Sequence, residues 1–172
     1  MVNTTVSTLT FASVVSTLAP LVVDRMVPWY TGNSLNRDVD VIFKIVDVMR
    51  YPLTKNSLAG EAQAHANLQD LQGHIIPKLY GFYSVWGILQ LLALQPVGNN
   101  ISDDEEIDQA LRRKMKNALQ RIHNAGFVHG DIARRNFCRT RGGDIFLVDL
   151  ERCVHSQQQS QLDGEMDEVD RL

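Results

Sequence analysis

Between residues 38 and 48 the side chains alternate, with Val39, Val41, Phe43 and Ile45 on one parity and Asp40, Ile42, Lys44 and Val46 on the other. That pattern, rich in β-branched residues, predicts a strand. Residues 9–15 and 21–27, rich in Val, Thr and Phe and separated by Ala19-Pro20, predict a hairpin. Residues 78–83 and 87–92 predict two more strands around a turn at 84–86. Between them, Glu61, Ala62, His65, Leu68 and Leu71 recur at helical spacing, so residues 57–71 predict a helix that Gly73 and Pro77 stop. Further on, Ser102-Asp103-Asp104-Glu105 reads as a capping box. The helix it opens runs to about Asn124 and carries Ile107, Leu111, Met115, Ala118, Leu119 and Ile122 as one apolar stripe. Gly126 ends it. A glutamine-rich linker, 157–161, leads to a short helix over 162–172. The fold class is α+β, with an antiparallel sheet and one helix first and a smaller, mostly helical part after.

Composition narrows this only slightly. A chain of 172 residues with 44% apolar and 22% charged side chains is expected to form a single domain with a real core. A net charge of -3 excludes the basic excess of a typical nucleic-acid binder. Arg112, Arg113, Lys114, Lys116 and Arg121 read as the solvated face of the long helix. No run reaches the roughly 18 apolar residues that span a bilayer, so no membrane partner is expected. The apolar stretch 9–23 lacks the basic n-region of a secretory signal, since residues 1–8 hold no Lys or Arg. Cys138 and Cys153 form no CxxC pair, which fits a reducing compartment, intracellular and cytoplasmic.

The candidate chemistry is concentrated in two segments. His129-Gly130-Asp131-Ile132-Ala133-Arg134-Arg135-Asn136 places an acid five residues before an amide. Thirteen residues on, Asp149 ends the apolar run Ile145-Phe146-Leu147-Val148. Phosphoryl transfer uses such a set: one carboxylate accepts a hydroxyl proton, and an amide and a second carboxylate hold the metal that bridges the nucleotide phosphates.

The order H-x-D-x-x-x-x-N followed by a strand ending in Asp resembles that of the protein kinase-like superfamily. The resemblance spans roughly residues 9–151. It implies a two-lobed fold within one domain, 1–172, with an N-lobe over 1–95 and a minimal C-lobe over 99–172. It also implies roles. Lys44, in the run V-I-F-K, would grip the α/β-phosphates, and Glu61 would hold it. Residues 91–98 would form the hinge, with the backbone of Leu92 and Leu94 meeting adenine. Asp131 would be the catalytic carboxylate, and Arg135 or Arg134 would neutralise charge on the transferring phosphate. Asn136 and Asp149 would bind Mg²⁺, with ATP as the donor. The runs L-Q-G-x-x-I-P at 71–77 and H-G-D-I-x-x-x-N look similar to compact fungal kinase-like proteins, so a fungal-type member is expected.

Three departures qualify the resemblance. The expected phosphate-covering turn, Ser16-Thr17-Leu18-Ala19-Pro20, holds no glycine. Gly130 stands where many regulated kinases have arginine, and Leu150-Glu151 replaces Phe-Gly. Only 21 residues follow Glu151, too few for the large helical subdomain that docks peptides, so a minimal protein or a fragment is expected. The expected function is an ATP-dependent phosphotransferase acting on a hydroxyl of a protein or small molecule. The alternative is a pseudokinase that keeps the fold as a binding module.

Overall fold

The computed structural model describes residues 7–10, 25–26, 40–50 and 57–172. The chain divides into two compact units, Met1–Ala66 with Lys78–Pro96 and Asn67–Pro77 with Val97–Leu172. The turn 16–20 and the apolar stretch 11–23 lie outside the described residues.

The first unit is built on a five-stranded antiparallel sheet. Its strands are β1 (Ser7–Thr10), β2 (Arg25–Met26), β3 (Asp40–Asp47), β4 (Leu79–Val85) and β5 (Leu89–Leu94), in the order β1-β3-β5-β4-β2. The alternation in β3 is used on both faces. Val41 and Phe43 join Val85, Leu91 and Ala93 in one apolar layer. The opposite face carries Leu79, Leu92 and Leu94, covered by Leu58 and Ala62 of helix α1 (Ser57–Asn67). Full burial of side chains such as Leu92 contributes about 1.5–3 kcal/mol each.

Two expectations for this unit are corrected. Residues 9–10 and 25–26 do not pair as one hairpin: Leu9 is opposite Val41 and Arg25 is opposite Ser84, on opposite edges of the sheet. The β4–β5 turn is Trp86-Gly87, both at positive φ (54° and 68°), with Ile88 N–H donating to Val85 O at 3.0 Å. That is the two-residue hairpin turn whose twist suits the flanking strands, and its second position calls for glycine. Gly87 therefore belongs to the turn.

In the second unit α1 gives way to a 3-10 turn at Gln69–Leu71, because Leu68 leaves helical geometry at φ -103°. Gly73, at φ 79°, donates to Ile76 O at 2.7 Å, and Leu147 N–H donates to Ile75 O at 2.8 Å. This ties the turn to the motif region. Helix α2 spans Gln109–Asn124 and buries Leu111, Met115, Ala118, Leu119, Ile122 and His123. It starts later than the capping box predicts. The Ser102 hydroxyl bonds Asp104, residues 102–105 close a turn, and Asp108 is the cap, accepting from Leu111 N–H at 2.7 Å. A two-stranded ribbon pairs β7 (Phe127–Val128) with β10 (Val154–His155). A three-stranded sheet has the order β6 (Asn99–Asn100), β8 (Phe137–Arg139), β9 (Ile145–Leu147). Helix α3 (Gln159–Arg171) closes the described chain. The basic face of α2 is partly used internally: Lys114 donates to Gly143 O, Lys116 pairs with Asp170, and Arg112 donates to Val169 O. Among the described residues no helix is long and apolar enough to cross a membrane.

Candidate active site

In the first unit the β3 lysine meets the α1 glutamate. Lys44 Nζ lies 2.8 and 2.9 Å from the two Glu61 carboxylate oxygens. Lys44 has the parity of Ile42 and Val46, the face that α1 covers, and Glu61 is 1% exposed. A carboxylate so buried requires a charged or hydrogen-bonded partner, and the ammonium is one. Leu92 and Leu94 belong to the same sheet as Lys44. Both are buried in β5, a central strand, and each has register partners on both sides: Lys44 and Phe82 for Leu92, Ile42 and Leu79 for Leu94. Their peptide groups serve the ladders. The chain leaves the sheet only after Gln95, whose N–H donates to Lys78 O at 2.9 Å.

In the second unit the motif residues are knitted together by short bonds. A 3-10 turn, Arg134–Asn136, carries Asn136 back toward Asp131. The Asn136 amide donates to the Asp131 backbone oxygen at 2.8 Å and to its Oδ2 at 2.9 Å. Arg135 Nη2 donates to the same Oδ2 at 2.6 Å. Oδ1 of Asp131 meets no protein donor among the described residues. Burial pushes the Asp131 carboxyl up, but the bonds from Asn136 and Arg135 and the nearby charges of Arg135 and Arg152 outweigh it, leaving the group below its ordinary value. It is therefore ionised at neutral pH.

Asn136 and Asp149 are brought close by sheet register. Phe137 is opposite Leu147, and one step on Val148 N–H donates to Asn136 O at 2.9 Å. Asp149 follows at φ 66°, ψ 62°. Left-handed backbone costs an L-residue about 1–2 kcal/mol, so the site holds Asp149 in strained geometry. His129 ties the loop to the same strand, its Nε2–H donating to Val148 O at 3.0 Å. Burial holds its imidazole below the ordinary value. Its Nδ1 is buried without a partner among the described residues.

A magnesium ion takes one or two protein oxygens and fills its other positions with phosphate and water oxygens. The donor chemistry here fits that. The Asn136 nitrogen is committed to Asp131, which leaves its oxygen as the ligating end, and Asp149 adds a carboxylate. No cluster of three or more His, Cys, Asp or Glu of the kind that cages a metal occurs among the described residues.

Several residues of the site are not evident from the motif. The Arg134 guanidinium donates to the backbone oxygens of Ser102, Asp103, Glu105 and Leu172. Glu165 of α3 is 8% exposed and accepts from Gly130 N–H at 2.6 Å, His129 N–H at 3.1 Å and His123 Nε2 at 2.7 Å. Burial pushes its carboxyl up, but these bonds and the His123 charge hold it below its ordinary value. A signal existed for both buried partners: His123 falls on the Leu119 stripe of α2, and Glu165 is one turn before Val169 on the apolar side of α3.

Residues 78–168 match the model of a family described as lipopolysaccharide core biosynthesis protein (WaaY). No curated protein matches the chain. The family match corrects the fungal-type expectation, because lipopolysaccharide is a bacterial glycolipid. The runs that suggested it have structural reasons instead. Gly73 and Gly130 both occupy positive φ in turns that position the loop, a constraint of the fold rather than a mark of source. With over half of its length covered by the family model, the chain belongs to the WaaY family of lipopolysaccharide core biosynthesis proteins, and is at that level a kinase-like phosphotransferase.

Proposed function

We propose that the chain transfers the γ-phosphoryl group of ATP to a hydroxyl of a sugar in the lipopolysaccharide core. The observation that carries this reading is the Asp131 carboxylate, ionised, held at one oxygen by Arg135 and Asn136, with the other oxygen meeting no protein donor among the described residues. Asp131 would orient the acceptor hydroxyl through Oδ1 and take its proton as the new oxygen–phosphorus bond forms and the bond to the leaving ADP breaks. Arg135, 63% exposed at its side chain, would lend its charge to the transferring phosphate. Asn136 and Asp149 would hold Mg²⁺, which when bound offsets the charge of the phosphate oxygens. Lys44, fixed by Glu61, would engage the nucleotide phosphates. On this reading the two compact units are the two lobes of one kinase-like domain, working inside the cell where ATP is supplied.

A saccharide acceptor is supported by the family's described process. The test is incubation of the purified protein with γ-labelled ATP, Mg²⁺ and extracted lipopolysaccharide. Label is expected in the saccharide portion after delipidation. Label only in added protein substrates, or none at all, would sink the proposal.

A further inference from the structure

Among the described residues, the buried Glu165 bonds only to the residues that lead into Asp131 and to one side chain of α2. Oε1 takes the Gly130 N–H; Oε2 takes the His129 N–H and the His123 ring. A buried ionised carboxylate is weak as a source of stability, since a well-packed apolar residue often does as well. What the carboxylate adds is direction: it holds two successive peptide N–H groups, immediately before Asp131, against one fixed point. That point is anchored. Beside it α3 is tied to α2 by Lys116–Asp170 and by Arg112 to Val169 O, and to the loop by Arg134 to Leu172 O.

We infer that Glu165 is a positioning residue for phosphoryl transfer, setting the loop that carries Asp131, and that His123 keeps its carboxylate aimed. The inference rests on the phosphotransferase reading above for its kinetic part only. An error of about 1 Å in a reacting group costs up to about hundredfold in rate, so loosening this loop should be visible in kcat.

The experiment compares wild type, E165Q and H123F by amide hydrogen exchange and by transfer kinetics. In E165Q an amide replaces a two-oxygen acceptor, so one N–H donor loses its partner. Exchange at the His129 and Gly130 amides is expected to rise about tenfold or more while Leu119 and Ile122 in α2 stay protected. kcat is expected to fall about tenfold to hundredfold with KM for ATP within about twofold. H123F, which keeps both loop bonds, should show the same pattern at smaller size, and it serves if E165Q does not fold. Unchanged protection at His129 and Gly130, or a uniform rise across α2 and the loop, would overturn the inference. So would lost protection with kcat intact. A wild type that transfers no phosphate refutes the proposed function and the kinetic part together, while exchange still decides whether Glu165 fixes the loop.

Discussion

Gly130 stands at φ 80°, and a Cβ there would lie 2.5 Å from the carbonyl oxygen of Arg152. Glycine is therefore demanded by backbone packing, which accounts for its replacing the arginine of regulated kinases. G130A should lose about 2–4 kcal/mol, combining left-handed strain with the displaced carbonyl, read as a lower urea midpoint. An unchanged midpoint would contradict the close approach. Charge acts at the same scale. Glu165 and Asp131 are both held below their ordinary values, 4.5 and 3.8. The folded chain thus binds fewer protons than the unfolded one at and below those values. The stability these groups contribute is full above them and is lost as pH falls through the lower folded values. E165Q, less stable than wild type at neutral pH, should close that gap as pH drops from about 5 toward 3 in a series of unfolding curves. A gap constant with pH would show that Glu165 is not the depressed carboxylate. Asp131, Asn136 and Asp149 were legible in the sequence because their spacing is local. Glu165, Arg134 and the need for Gly130 were not, because each depends on a partner some 20–40 residues away that only the fold brings near.

At the scale of elements, the strands with strong alternation and the helix around Glu61 follow from periodicity, and Lys44 meets Glu61 because Lys44 falls on the sheet face that α1 covers. Boundaries depended on competing local chemistry. The 102–105 segment has a cap-like composition, but its serine bonds Asp104 and its carbonyls serve Arg134, so Asp108 caps the helix instead. Edge assignment was illegible for 7–10 and 25–26, because proximity in sequence favours a hairpin while their pairing is set by β3 and β4. The β4–β5 turn offers a direct test. Trp86 is 54% exposed and held at φ 54°, a poor position for a bulky residue. W86N would create the Asn-Gly pair that this turn favours and should raise stability by about 0.5–1.5 kcal/mol, seen as a higher melting temperature. A lower one would mean that the indole makes packing contacts that outweigh the strain.

At the scale of the whole molecule, the resemblance to kinase-like proteins gave the order of motifs, and the family match over 78–168 gave the bacterial glycolipid context that no spacing could encode. The acceptor's chemistry is not written in Asp131 or Asn136, which would serve any hydroxyl. Transfer is expected to depend on the Asp131 carboxylate, and D131N isolates that dependence, because the amide keeps the shape and cannot take a proton. With γ-labelled ATP and lipopolysaccharide, kcat for D131N should fall about 10²–10⁴-fold while ATP affinity holds within about threefold. Retention of kcat within about threefold of wild type would contradict the account.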